Sequence, residues 1–440
     1  MLKIYDVSAA QQSILKRVPP DETSVTPGVQ QRITQTFGEP LTAAQAVERI
    51  LDDVRQRGDE ALRDWSERLD GAAPASPAVP PEELQAALQR IPAELRTALQ
   101  QAAERVRRFH QAQPITSWMT NTLGGTLGQY MRPIRRVGLY VPAGSAPLPS
   151  SVIMSAVPAQ VAGVAEIVLA APPRRGTGKV DDTILAAAAL LGIQEVYCMG
   201  GAQAIGALAY GTQTIPAVDK IFGPGNLFVA LAKRRVFGVV GIDSIAGPTE
   251  TLIIADDSAR PDWVAADLLA QAEHDELASA ILLTPSRALA EKVQQEVAKQ
   301  VQQRSRADVL HISLENRSGA VITTDLDEAV RLANAYAPEH LCLAVAEPWR
   351  LAEQVYAAGG IFVGEHSFEV LGDYTAGPSH VMPTGGSARF SSPLNVLDFV
   401  HVVSLIALDP VTARQIAAPA AVIARAEGLD AHANSAEERL

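Results

Sequence analysis

Two textures of apolar and polar residues follow one another along this chain. Between residues 29 and 112 the apolar positions recur at helical spacing, as in "TAAQAVERILDDVRQRGDEALRDWSERL" and "PPEELQAALQRIPAELRTALQQAAERVRRF". One face of each segment is therefore apolar, and amphipathic helices are expected. The Pro, Ala and Ser residues of "DGAAPASPAVPP" mark the connection between them. From about residue 135 the apolar runs shorten to strand length: "RRVGLYVPAG", "EIVLAAPP", "EVYCMGG" and "KIFGPG" each end in Gly or Pro. Helical patterns such as "DDTILAAAALLG" and "NLFVALAKRRVFG" lie between them. The rhythm resumes after residue 250 in "ETLIIADD", "SAILLTPS", "GAVITTD", "HLCLAV" and "GIFVGE". Alternation of this kind predicts parallel βαβ units, here in two α/β modules of similar construction. After about residue 393 it weakens into a helix-containing tail that needs another surface to cover it.

Composition narrows the class. The 440 residues suffice for about three domains, and the longest apolar runs, such as "AAPAAVIA", fall short of the roughly 18 residues a membrane span needs. The start "MLKIYDVSAAQQS" lacks the pattern of a secretory signal, so the cytoplasm is the expected compartment. A net charge of −12 argues against a nucleic-acid surface, which requires clustered Lys and Arg. The two cysteines, Cys198 and Cys342, lie in apolar strand-like runs and read as buried, inert thiols. A small-molecule enzyme is the broad expectation.

No G-x-G-x-x-G follows any of these strands, and "RRGTGKV" lacks phosphate-loop spacing, so generic motifs announce no nucleotide. "YVPAGSAP", "GGAQAIG" and "FGPGN" nevertheless sit where an open α/β sheet exposes backbone amides, as ligand loops or as plain tight turns. In "RPDWVAADLLAQAEHDELA", Pro261 opens a helix with Val264, Leu268 and Ala272 on its apolar face. Gln271 and His274, three apart, share a face, whereas Glu273 points about 100 degrees away. By charge Glu273 would be the better metal ligand, and a neutral amide in a zinc shell is unusual. A surface polar cluster is the plainer alternative. Asp373 and His380 fall in a Gly/Pro/Ser/Thr-rich stretch, "GDYTAGPSHVMPTGGSARFSS", read as a functional loop on a rigid scaffold. Glu427 closes a helix with Gly428 in the stop position and His432 just beyond. His110, His311 and His401 lack polar company and read as structural. In "ANAYAPEHLCLAV", Glu339 and His340 are either a solvated turn or a proton-handling pair placed just ahead of a strand. Ligands more often lie at the carboxyl ends of parallel strands.

Eight stretches, "RVGLYVPAGSAPLPSSVIM", "GGAQAIGALAYGT", "IFGPGN", "AGPTETLIIAD", "DLLAQAEHD", "YAPEHL", "GDYTAGPSHVMPT" and "EGLDAH", occur in this order. Through them the chain resembles the histidinol dehydrogenases, strongly from about residue 130 onward and more loosely over the helical N-terminal part. The resemblance implies two Rossmann-like α/β modules with parallel sheets, a helical N-terminal part and a small helical C-terminal tail. The organisation expected is an arm (1–34), a main α/β domain with metal and catalytic residues (35–139 plus 251–393), an NAD-binding α/β domain (140–250) and a tail (394–440).

The same resemblance implies NAD and one zinc per subunit, with Gln271, His274, Asp373 and His432 as zinc ligands. It implies Glu339 and His340 as the proton-handling pair. Thr249, His380 and Glu427 would contact substrate, and Tyr140, Gln203 and Asn226 would line the NAD site. Thr249 replaces the Ser more usual in the family, keeping the hydroxyl and adding a methyl. The activity implied is oxidation of L-histidinol through the aldehyde to L-histidine. The assembly implied is a homodimer in which the tail, with Glu427 and His432, completes the partner's site. Three alternatives use the same residue types. They are a sister dehydrogenase for another amino- or sulfonate-bearing alcohol, a zinc hydrolase, and a non-catalytic metabolite-binding protein.

Overall fold

A computed structural model of the chain describes residues 2–17, 27–143, 146–174 and 176–440. Three sheets organise them. The largest has six parallel strands in the order β1 (Ile4–Asp6), β11 (Gly319–Ile322), β10 (Ser279–Thr284), β9 (Glu250–Ala255), β12 (His340–Ala344) and β13 (Gly360–Val363). The second has five parallel strands in the order β6 (Glu195–Cys198), β5 (Glu166–Ala171), β4 (Arg136–Tyr140), β7 (Lys220–Phe222) and β8 (Gly241–Ile242). A third, antiparallel ribbon joins β14 (Val400–Ala407), β3 (Thr126–Pro133) and β2 (Trp118–Thr120).

The α/β reading follows from burial. Every residue of β4, β9, β10 and β12 is buried, as parallel strands covered by helices on both faces require. On one face of the six-stranded sheet lie the helices Pro261–Ala272, Arg287–Val301 and Ala307–Asn316, through Val264, Leu268, Val293, Val297 and Leu310. On the other lies the helix Leu326–Tyr336, through Ala329, Val330, Ala333 and Tyr336. Ser286 and Asp325 start two of these helices by accepting hydrogen bonds from backbone amides of the first turn. Cys198 and Cys342 are buried free thiols, and burial pushes both pKa values upward.

The amphipathic helices expected near the N-terminus form, but their company differs from the expectation that groups residues 35–139 with the main sheet. Val47, Ile50, Leu51, Val54 and Trp65 pack with Tyr140, Val168 and Ile205 on one side of the five-stranded sheet. Leu84, Ala87, Leu99 and Val106 pack with Val137, Val152 and Ile184 on the other. An amphipathic stripe specifies that a helix must be covered and leaves open which sheet covers it. The N-terminal arm likewise enters the main sheet as its edge strand β1. The tail contains a strand as well as helices: β14 pairs along eight residues with β3, and the half-exposed, mixed composition of both strands conceals the ribbon in the sequence. Among the described residues no helix is long and apolar enough to cross a membrane.

Candidate active site

Glu250 opens β9 and His340 opens the neighbouring parallel strand β12, so the site grows from the amino edge of the six-stranded sheet. An acid and an imidazole ahead of a strand thus share the amino edge of the sheet with Glu250. Helices connecting parallel strands run back against them, so the helix Pro261–Ala272 ends on the same edge and delivers Gln271 there. The five-stranded sheet presents the opposite edge: Tyr140 is the last residue of β4, and Gly200 and Gly223 follow β6 and β7. The two edges meet where Ser151, in the helix after β4, lies with its Oγ 3.3 Å from His380 Nε2.

Glu339 and His340 are both buried, which removes the solvated-turn alternative. Glu339 Oε2 accepts from the Thr249 hydroxyl at 2.6 Å and from the Glu250 amide at 3.0 Å. Burial pushes its pKa up to about 7, against the opposing pull of His340 and of those two donors. His340 Nδ1 lies 3.2 Å from the Glu250 carbonyl oxygen. A carbonyl can only accept, so Nδ1 carries a hydrogen, and in the neutral ring Nε2 is the nitrogen left to accept a proton. Nε2 is buried with no hydrogen-bond partner, 3.9 Å from Asp373 Oδ1. Glu369, which carries no recognisable signal in "HSFEVLGDY", is also buried here, with Oε1 3.7 Å from His340 Nδ1. Its other oxygen accepts from the Thr251 hydroxyl, and burial, then the Asp373 charge, raises its pKa well above the ordinary carboxylate range.

Gln271 is fully buried, its Nε2 donating to Thr249 Oγ1 at 2.7 Å while Oε1 has no partner. His274 follows the same helix end as an exposed residue, its backbone amide bonded to the Gln271 carbonyl. Among the described residues no group of three His, Cys, Asp or Glu side chains is gathered closely enough to hold a metal. The orphaned, buried amide oxygen of Gln271 nevertheless fits a cation that takes oxygen among its donors. His380 donates from Nδ1 to the Asp373 carbonyl at 2.8 Å, and burial lowers its pKa. Glu273 stays at the helix end as its C-cap.

Glu427 and His432 are not brought to this edge within one chain. Glu427 caps the helix Pro410–Ala426, His432 lies in the helix Asp430–Glu437, and both are exposed. These helices pack on each other through Ala421, Ala424 and Ala433 and leave Val422 69 % and Ile423 60 % exposed.

The nucleotide candidates gather on the carboxyl edge of the five-stranded sheet. The Tyr140 hydroxyl accepts from the Gly201 amide at 3.2 Å. Gln203 is fully buried, donates to Asp70 Oδ2 at 3.3 Å and leaves Oε1 unpartnered. Burial raises the Asp70 carboxyl to about 6 against the Gln203 bond, a contact invisible in sequence because Asp70 ends a distant helix. Gly201 takes a φ of 62°, and a Cβ there would sit 2.7 Å from Gln203 Oε1, so glycine keeps this corner open. Asn226 is the N-cap of the helix Leu227–Val236, its Oδ1 accepting from the Phe228 and Val229 amides. Gly144 and Ser145 of the "YVPAGSAP" loop lie outside the described residues.

A family model described as "Histidinol dehydrogenase" matches residues 35–440. A histidinol dehydrogenase of Deinococcus radiodurans is 55 % identical over 418 residues, spanning 94 % of this chain and 95 % of that protein. One from Nitrosospira multiformis is 50 % identical over 398 residues, 90 % of each chain. The crystal structure of histidinol dehydrogenase from Elizabethkingia anophelis matches with a TM-score of 0.90 at 33 % identity, covering 100 % of this chain and 98 % of that one. The match runs through both α/β modules and the tail, and the chain belongs to the histidinol dehydrogenase family of oxidoreductases.

Proposed function

We propose that the site where the two sheet edges meet carries both oxidations of L-histidinol, to the aldehyde and then to L-histidine, with His340 and Glu339 dividing the proton work. The observation that carries this reading is the unpartnered Nε2 of His340, a buried lone pair fixed in its tautomer by the Glu250 carbonyl. Each oxidation releases a hydride from carbon only as a proton leaves oxygen, and a neutral imidazole suits that transfer. The second oxidation also needs water to add to the aldehyde. Glu339, with a pKa near 7, exchanges a proton with water at neutral pH. Thr249 and the Glu250 amide both bond Oε2, which leaves Oε1 to face the water.

Gln271, His274 and Asp373, completed by His432 of a second chain, would hold one zinc, and Tyr140, Gln203 and Asn226 would flank NAD. When bound, zinc supplies attachment points for the amino and imidazole nitrogens of the substrate, and NAD accepts the hydride. His380 and Glu427 would contact the substrate beside them. The assembly is a cytoplasmic homodimer with exchanged tails, a reading supported by the exposed apolar face around Val422 and Ile423 and by the exposure of His432. The catalytic role falls to the six-stranded sheet (251–393 with the arm 1–34), the nucleotide role to 140–250 and the partner's site to the tail (394–440), while the helices before residue 112 pack on the nucleotide side. NADH counted against L-histidinol consumed tests the reaction. Two NADH per histidinol with no aldehyde trapped by a carbonyl reagent supports it, and one NADH with free aldehyde overturns it.

A further inference from the structure

The catalytic edge is gripped from outside by a residue of the N-terminal arm. Arg17 Nε donates to the Tyr336 carbonyl at 2.8 Å, and one of its terminal nitrogens reaches the Ala337 carbonyl at 3.2 Å. The same guanidinium pairs with both carboxylate oxygens of Glu250, at 2.9 Å to Oε2, and lies 3.5 Å over the Tyr336 ring. Fork geometry of this kind lets one arginine satisfy a carboxylate and two carbonyls at once, which a lysine does not do.

Both ends of that grip lead directly to the proton-handling pair. Ala337 is the only non-glycine residue with positive φ among the described residues, at 50°, fully buried and immediately before Pro338-Glu339-His340. An alanine held in the left-handed region persists only where its surroundings over-determine it. The two carbonyls that Arg17 holds are those of this turn and of the residue before it. Glu250, at the other end, donates its amide to Glu339 and presents its carbonyl to His340. Its carboxylate also accepts from the Gly385 amide at 3.1 Å, tying in the loop that follows the helix Glu369–Tyr374, which carries Asp373. Without Arg17 the buried Glu250 carboxylate would lose the one cation that pairs with it among the described residues, a costly state for a buried charge.

We propose that Arg17 is a positioning residue for histidinol oxidation, holding the Ala337 turn and the Glu250 backbone so that Glu339 and His340 keep their spacing. The inference rests on Glu339 and His340 being the proton-handling pair, so His340→Ala is measured beside it. Full-length Arg17→Ala and Arg17→Lys are assayed for kcat and KM with L-histidinol and NAD. The expected result is a kcat lowered tenfold or more in Arg17→Ala with both KM values within about threefold, and partial recovery in Arg17→Lys. A wild-type kcat in Arg17→Ala overturns the proposal, as does a rise in both KM values that matches the fall in kcat. If Arg17→Ala fails to fold, Arg17→Lys decides: a kcat reduced at least threefold at unchanged KM supports the role, and a wild-type kcat overturns it. A fully active His340→Ala would overturn the underlying assignment instead, whatever Arg17 does.

Discussion

The Thr249 hydroxyl donates to Glu339 Oε2 at 2.6 Å and accepts from the Gln271 amide at 2.7 Å. One hydroxyl therefore couples the buried Glu339 carboxylate to the side chain whose amide oxygen has no partner. Because the hydroxyl gives its hydrogen to Glu339, it takes the Gln271 Nε2 as donor and leaves Oε1 turned away without a partner. Thr249→Val keeps the shape and breaks both bonds. Its turnover should fall roughly 10- to 100-fold, the cost of about 1–3 kcal/mol for a buried polar group left unsatisfied. Thr249→Ser keeps both bonds and should stay within about threefold of wild type, since only a methyl is lost. Steady-state kinetics on the two variants checks the contrast.

The raised pKa of Glu339 sets a pH dependence. The folded value is about 7 against an ordinary 4.5, because burial penalises the carboxylate. Acting as a base, it works in the ionised form, so aldehyde oxidation should climb with pH through about 7, and Glu339→Gln should abolish that limb. Stability runs the other way. Between the two pKa values the folded chain holds a proton that the unfolded chain has lost, so the contribution is full below 4.5 and disappears as pH rises through about 7. Its size is on the order of 3 kcal/mol by the usual conversion of pKa shift to free energy. Denaturant unfolding at pH 5 and pH 8 should show a smaller decline in Glu339→Gln than in wild type.

Purified enzyme should hold about one zinc per chain, and chelation should abolish turnover while leaving the circular dichroism spectrum largely intact, since the site is grafted on a large core. Gln271→Leu should bind metal at least tenfold more weakly, because it removes the orphaned amide oxygen at this edge. Metal analysis that finds none in fully active enzyme contradicts the assignment.

Exchange of the tail is tested by mixing two inactive chains, His340→Ala and His432→Ala, through unfolding and refolding. Random pairing makes about half of the dimers mixed, and each then has one intact and one doubly damaged site. Activity should return to about a quarter of wild type by that counting. If each tail serves its own chain, every site keeps one lesion and the mixture stays inactive.

Much of this was legible in the residues, and what escaped has physical causes. Every strand-length apolar run between residues 135 and 363 became a parallel strand, because burial on both faces demands continuous apolar residues. The ribbon β2-β3-β14 escaped because its strands are half-exposed and carry no clean alternation. Gln271 and Glu339 stood out only through the motifs around them, since nothing in an isolated amide or carboxylate foretells burial. Arg17, Asp70, Ser151 and Glu369 act through contacts with residues remote in sequence, as in the bonds of Arg17 to Glu250 and of Ser151 to His380, and spacing carries no such information.

The division of labour between Glu339 and His340 is the centre of the account, and it is tested most directly by measuring the two oxidations separately, with L-histidinol and with the aldehyde supplied as substrate. Glu339→Gln should keep alcohol oxidation within about tenfold of wild type and lose aldehyde oxidation by a further 100-fold or more, whereas His340→Ala should lose both. Equal loss of both oxidations in Glu339→Gln would contradict it.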